Sequence, residues 1–258
     1  MTLFYKETGD MHAPLMVFIH GGGVSGWMWD KQVEYFSNYH CLIPDMLEQG
    51  KSSHNTRFTI NHCAEKIIEL IEEKGRNKPI IVIGFSLGAQ VLTAMLSMKP
   101  HLIDYAMINS AVVKPIPFAK TLLKSLAMSY SLVKIKAFSK IQAKSMYVTD
   151  DYFEVYYQES SQMSKDTFMR IMEENMSFTI PENFKNATSK ILVTVGEKER
   201  KIMEDSFTQL IKSNPHCKGI IFPKISHGMS LAYPEQFNKL VESWLEQKPL
   251  PEEVQANS

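Results

Sequence analysis

The chain has little cysteine, no excess of either charge and no long apolar run. Its three cysteines, Cys41, Cys63 and Cys217, are odd in number, far apart and in no metal-ligand spacing. That argues against a disulfide framework and a zinc site, and for a reducing, cytoplasmic location. Lysine plus arginine total 28 and aspartate plus glutamate total 28. The formal charge is therefore zero, and no overall basic field speaks for nucleic acid or an anionic membrane. The opening MTLFYKETGD has no apolar segment of the kind found in a secretory signal. No apolar run is long enough to span a bilayer. Repeats and low-complexity segments are also missing, as are the glycine and lysine spacings of phosphate and dinucleotide loops. No metal or organic cofactor is expected.

What is present is an ordinary globular composition, 44% hydrophobic and 22% charged over 258 residues, enough for one large domain or a core with an insertion. Apolar runs of strand length alternate with amphipathic segments. LMVFIHGG (15–22), HCLIPD (40–45), PIIVIGFS (79–86), IDYAMINSA (103–111), SKILVTVGE (189–197) and KGIIFPKISHG (218–228) read as strands. NHCAEKIIELIEEKG (61–75), LGAQVLTAMLSMKP (87–100) and PEQFNKLVESWLEQ (234–247) read as helices, the last with proline at its start. Continuous apolar strands alternating with helices imply a mostly parallel sheet covered on both faces. The tail KPLPEEVQANS is polar and expected to fray.

Residues 114–185 interrupt this alternation with helix-like segments only: FAKTLLKSLAMSYSLVKIKAF, DDYFEVYYQESSQMS and KDTFMRIMEENMSF. They are rich in methionine and aromatics, Met128, Tyr156, Phe168 and Met172 among them. Such a segment either packs its own small core or forms a cap whose apolar underside lines a pocket, and the two are compatible. The expected division is a core of 1–113 with 186–258, and a helical cap of 114–185.

The chemistry-bearing stretch is Gly84-Phe85-Ser86-Leu87-Gly88, where an apolar strand runs into a helix. A sharp strand-to-helix turn strains the backbone and crowds the residues two before and two after the centre. Glycine at both places removes the side chains that would collide. The turn lifts Ser86 above the carboxyl end of the sheet and onto a helix N-terminus, which favours developing negative charge. A G-x-S-x-G pattern alone arises by chance on the order of one time in ten in a chain this long. Its strand-before, helix-after setting is what turns it from a structural turn into a candidate nucleophile.

A serine needs a base. His227 follows the last strand in FPKISHGMSLAYPEQF and so lies on the same rim as Ser86. His20, in FIHGGG, reads as holding a turn, and His12, His40, His54, His62, His101 and His216 read as surface or packing residues. The imidazole needs an acidic acceptor. Gly196-Glu197-Lys198-Glu199 follows the preceding strand, and either glutamate could serve, with Asp205 a more remote choice; otherwise the run is a solvated charged loop. The order serine, acid, histidine suits this architecture. The glycines after His20 offer unobstructed backbone N–H groups for an oxyanion, and the N–H of Leu87 is the second expected donor.

Taken together these residues resemble the α/β-hydrolase superfamily. The resemblance covers nearly the whole chain: His20-Gly21, Trp29, Pro44-Asp45, Gly50 with Ser52, Gly84 to Gly88, Gly196 with Glu199, and His227-Gly228. HGGGVSGWMWDKQVEYF is similar to the small esterase branch that includes plant methylesterases, hydroxynitrile lyases and bacterial carboxylesterases. The resemblance implies an α/β-hydrolase fold and selects Glu199 over Glu197, because the family's acid commonly sits three residues after such a glycine. It also implies that the N–H of Gly22 is the first oxyanion donor. The chain departs from the family in its Asp45-to-Ser52 loop, which lacks the usual proline, first glycine and histidine, and in using glutamate as the acid. A serine nucleophile argues against epoxide hydrolase and haloalkane dehalogenase chemistry. Glycine after His227, where the plant lyases carry lysine, argues against the lyase.

The implied function is hydrolysis of a carboxylic ester or related small acyl compound through Ser86, His227 and Glu199, with Gly22 and Leu87 holding the oxyanion. Thioesterase, amidase, perhydrolase, C–C hydrolase and cofactor-free lyase or oxygenase chemistry share such a site. A non-catalytic small-molecule receptor is the non-enzyme alternative. The expected partner is a small acyl substrate, and the oligomeric state is not legible.

Overall fold

The computed structural model describes residues 3–52 and 56–249. His54 and most of the tail expected to fray lie outside the described residues. Seven strands form one sheet: β1 (Tyr5–Gly9), β2 (Leu15–Ile19), β3 (His40–Pro44), β4 (Ile80–Phe85), β5 (Tyr105–Asn109), β6 (Lys190–Gly196) and β7 (Cys217–Phe222). Their order is β1-β3-β2-β4-β5-β6-β7. All neighbours are parallel except β1, which pairs antiparallel with β3. The helices are α1 (Asp30–Tyr35), α2 (Ile60–Lys74), α3 (Leu87–Met98), α4 (Ala119–Ser129), α5 (Lys136–Ser145), α6 (Asp150–Gln162), α7 (Lys165–Ser177), α8 (Lys201–Ser213), α9 (Met229–Ala232) and α10 (Pro234–Leu245).

The alternation of side chains along each strand builds two cores. Leu15, Val17 and Ile19 of β2 join Val82 of β4 beneath α2 and α3, with Ile67, Ile71 and Leu92. Met16 and Phe18 of β2 join Ile81, Ile83 and Phe85 on the opposite face, with Trp29, Phe237 and Leu240. One strand thus feeds both layers, because its side chains point to opposite faces at every step. This is why β2, β3 and β4 are buried along their whole length and read as unbroken apolar runs.

Three elements differ from the sequence reading. β1 is short, mostly polar and at the edge, so its pattern carries no apolar signal. The charged run read as a loop ends at Arg200, where α8 begins. The apolar stretch 218–228 is strand only to Phe222, because the chain turns at Pro223 and Lys224, the latter at φ 60°.

Residues 114–185 fold into α4 to α7 with a 3-10 turn at Tyr130–Lys134 between α4 and α5. Polar contacts tie α6 and α7 to the rest of the chain. Ser25 Oγ and Trp27 Nε1 donate to Glu159 at 2.7 and 2.9 Å. Arg170 forks onto the buried Glu48 carboxylate at 2.8 and 3.1 Å. Asn175 Nδ2 donates to Gln90 Oε1 at 2.9 Å, and Gln90 Nε2 returns a bond to the Asn175 carbonyl. Glu48 belongs to the loop that departs from the family pattern, and here that loop receives α7. By contrast, α4 buries no residue.

Candidate active site

Ser86 sits between β4 and α3 at φ 54°, ψ −114°, a conformation that costs a non-glycine residue energy. It is held by its own N–H, which donates to the Asn109 carbonyl at 2.8 Å, and by its carbonyl, which accepts from Ala89 and Gln90 at the start of α3. The flanking glycines are required by close backbone approach. A Cβ on Gly84 would lie 2.5 Å from the Gly88 carbonyl oxygen, and one on Gly88 would lie 2.5 Å from the carbonyl oxygens of Ile19 and His20. The tight turn therefore demands glycine at both positions.

His227 Nε2 lies 3.0 Å from Ser86 Oγ, and its Nδ1 lies 2.7 Å from Glu199 Oε2. The ring also packs on Phe85, 4.8 Å between centroids. The loop carrying His227 presses against Gly196, where an added Cβ would meet the Ile225 and Ser226 carbonyls at 2.7 and 2.8 Å. With Glu199 accepting at Nδ1, that nitrogen carries the proton and Nε2 is free to face the serine.

The structure separates the two glutamates left open by the residues alone. Glu199 is almost fully buried, 2% exposed at the side chain. Its Oε1 accepts from the Gly196 N–H at 2.9 Å and from the Ser110 hydroxyl at 2.7 Å, while Oε2 faces His227. Glu197 is exposed and instead accepts from the Lys224 N–H at 2.7 Å, capping the turn after β7. Asp205 lies on the outside of α8, 3.5 Å from both Lys114 and Lys201. Ser110, at φ 56° just beyond β5, is the residue sequence reasoning missed. Nothing in INSA marks it, because its role depends on β5 and β6 lying side by side.

Burial pushes the Glu199 carboxyl pKa up. The hydrogen bond and charge of His227, with hydrogen bonds from Gly196 and Ser110, outweigh burial and hold it below the usual carboxylate value. A carboxylate whose folded pKa is depressed stabilises the fold fully above its unfolded pKa and loses that contribution as pH falls through the folded value. Glu199→Gln is therefore expected to flatten the acid side of the stability profile. Urea unfolding between about pH 6 and about pH 3 measures this; an unchanged slope overturns it.

The glycine loop after β2 is equally specific. The Gly21 N–H points to Met28 Sδ at 3.4 Å and the Gly23 N–H donates to Gln49 Oε1 at 3.0 Å. Among the described residues, the N–H groups of Gly22 and Leu87 have no protein acceptor. These two residues adjoin: a Cβ on Gly22 would be 3.3 Å from Leu87 Cδ2. His20 holds the loop, its Nδ1 donating to the Gly21 carbonyl at 2.7 Å and its Nε2 accepting from the Met46 N–H at 2.8 Å. Burial drives its pKa down and keeps it neutral. His40 pairs with Glu7, His62 with Glu65, and His101 contacts Thr188, all away from Ser86.

A cavity of about 330 Å³ opens over the three residues. Ser86, His227 and Glu199 line it together with Ile116, Asn175, Ile202 and Met203, and Lys198 and Arg200 stand at its edge. Ile116 and Asn175 come from the inserted helical segment. Of the residues singled out there from sequence, Met128 is 84% exposed, Tyr156 is buried in the core, and Phe168 packs on Tyr130. None of these, nor Met172, lines the cavity. Among the described residues no cluster of histidine, cysteine, aspartate or glutamate could hold a metal ion, and no helix is long and apolar enough to cross a membrane.

Residues 14–199 match the family model of the alpha/beta hydrolase fold. The chain belongs to that family. A hydrolase of (E)-2-((N-methylformamido)methylene)succinate from Acinetobacter baylyi is 21% identical over 96% of this chain and 95% of its own length. A match to an AB hydrolase superfamily protein of Gibberella zeae is 33% identical, but spans only 38% of this chain and 36% of that protein. Among solved structures, an alpha/beta hydrolase enzyme from a Medee basin deep-sea metagenome library superposes with a TM-score of 0.79 at 20% identity, covering 96% of each chain. The protein is accordingly a hydrolase of the alpha/beta fold.

Proposed function

We propose that this hydrolase cleaves a carboxylic ester or related acyl compound through an acyl-enzyme on Ser86. The observation that carries the reading is the continuous hydrogen-bonded chain from Ser86 Oγ through His227 to the buried Glu199. In this reaction His227 Nε2 takes the serine proton as Oγ attacks the carbonyl carbon. Glu199 fixes the ring and stabilises the imidazolium. The carbonyl oxygen, now negative, takes the free N–H groups of Gly22 and Leu87. His227 returns the proton to the leaving alcohol, and water repeats the sequence to release the acid. The segment 114–185 acts as a cap, contributing Ile116 and Asn175 to the pocket wall. A fluorophosphonate probe tests the reading. Covalent labelling at Ser86, located by peptide mass, is expected; an unlabelled protein, or labelling at a different serine, overturns it.

Lys198 and Arg200 refine the substrate class. Both are exposed at the cavity edge and have no ion-pair or hydrogen-bond partner for their side chains among the described residues. They flank Glu199, whose carboxylate is buried and turned away from them to His227, Ser110 and the Gly196 N–H. Their unpaired cationic groups favour an ester carrying a carboxylate, in keeping with the dicarboxylate named for the Acinetobacter relative. Lys198→Ala with Arg200→Ala is expected to raise KM for a carboxylate-bearing ester about tenfold, with kcat and the kinetics on its neutral methyl ester little changed. An equal effect on both esters would remove the charge argument.

A further inference from the structure

The net charge of zero conceals a segregated surface. No acidic residue occurs between Asp104 and Asp150, while lysines stand at 114, 120, 124, 134, 136, 140 and 144. Three are engaged: Lys114 faces Asp205 at 3.5 Å, Lys136 faces Glu154 at 2.6 Å and Lys140 faces Asp150 at 3.3 Å. Lys120, Lys124, Lys134 and Lys144 are exposed, and their ammonium groups have no partner among the described residues.

The same stretch holds most of the exposed apolar bulk. Of the eleven large hydrophobic residues left exposed among the described residues, seven fall between Phe118 and Ile141. Phe118 is 86% exposed, Met128 84%, Ile141 71% and Ile135 53%. Single exposed hydrophobics are ordinary, but a run of them in consecutive elements marks an interaction surface. Helical geometry sets the two kinds of residue side by side. Lys136, Lys140 and Lys144 recur every four residues along one edge of α5, next to the sector of Ile141 and Phe138. Lys120 and Lys124 lie one turn apart on α4 in line with Met128, and the exposed Phe118 immediately precedes that helix. Lysines flanking an exposed apolar face form the pattern of a helix that lies in a lipid interface.

We propose that α4, the 3-10 turn and α5 bind the surface of an anionic lipid bilayer. The free lysines meet lipid phosphates, and Phe118, Met128, Ile135 and Ile141 enter the headgroup boundary. Charge complementarity selects this occupant: a second copy of the chain would bring lysine against lysine. The position gives the contact a use, since Phe118 lies two residues beyond Ile116, which lines the cavity over Ser86. The surface docks while α6 and α7 stay tied to the core. The inference is independent of the catalytic reading.

Co-sedimentation with phosphatidylcholine vesicles, with and without phosphatidylglycerol, tests it. Binding to the phosphatidylglycerol vesicles, weakened by added salt, is expected. Each lysine near an anionic surface contributes about fivefold, so Lys120→Gln with Lys124→Gln is expected to lower the partition coefficient about 25-fold. Phe118→Asn, chosen because asparagine tolerates the left-handed backbone at this position, combined with Ile141→Ser, is expected to weaken it further. Circular dichroism and thermal unfolding serve as the controls for folding. Absence of vesicle binding, equal binding to both vesicle types, or binding unchanged in the lysine variant overturns the proposal. So does a concentration-dependent dimer abolished by Phe118→Asn without vesicle binding, which would give the face to a second copy.

Discussion

Ser86→Ala is expected to leave a folded protein with turnover reduced about 10⁶-fold and no covalent probe labelling. The size of the effect follows from the geometry. Alanine removes the only hydroxyl within reach of His227 Nε2 in the described structure, so the base is left without a nucleophile to activate. The backbone around position 86 is held by contacts that do not use the hydroxyl, from the Asn109 carbonyl on one side to Ala89 and Gln90 on the other. Folding should therefore persist, with near-wild-type thermal unfolding. Turnover of an activated p-nitrophenyl ester and labelling by the fluorophosphonate probe, run on the same preparation, measure the outcome. Residual labelling at another serine would remove Ser86 from the proposed mechanism.

Glu199→Gln should have the second-largest effect, a loss of turnover up to about 10⁴-fold. The amide keeps the shape of the carboxylate but can present an N–H to His227 Nδ1. That stabilises the tautomer whose Nε2 carries the proton and cannot accept one from serine. The imidazolium formed in the transition state also loses its counter-charge. Glu197→Gln is the matched control and should change turnover little, because that carboxylate caps the Lys224 N–H and does not face the imidazole. Ser110→Ala should fall between them: it removes one of the donors on Glu199 Oε1 but leaves the Gly196 N–H in place. The three kcat values, measured against pH, check the order. Equal losses for Glu197→Gln and Glu199→Gln would mean that the charged loop as a whole, and not one carboxylate, supports the histidine.

The parts of the fold legible in the sequence share a physical property. β2, β3, β4 and β5 are apolar over nearly every residue because both of their faces are covered. Helices α2 and α10 carry their apolar residues on one side and close with Gly75 and open with Pro234, respectively. β1 escaped notice because an edge strand has no such requirement. α8 escaped because its start adjoins a charged run, while its buried face rests on few residues, Ser206 and Leu210. In the inserted segment, methionine and aromatic content pointed to an apolar underside. The residues that meet the cavity are Ile116 and Asn175, while Met128 faces outward. Composition cannot tell a helix's inner face from its outer one when both are apolar.

By itself, the sequence determined the strand-to-helix turn around Ser86, the glycine loop after His20, the order in which Ser86, Glu199 and His227 occur, and the alternation that implies a parallel sheet. Each is a local matter of which residues a given backbone path can accommodate. The residues alone left Glu197 and Glu199 open, and the family resemblance chose Glu199 and the Gly22 amide; only the tertiary structure decided that Ser110 hydrogen-bonds to Glu199 and that the amides of Gly21 and Gly23 are engaged elsewhere. It also decided that seven large apolar residues between Phe118 and Ile141 are left exposed. Those outcomes depend on side chains distant in the chain meeting in space: Ser110 and Glu199 meet only because β5 pairs with β6. Hydrogen-bond satisfaction then assigns each donor and acceptor according to what lies within about 3 Å of it, a distance that the linear order of residues does not contain.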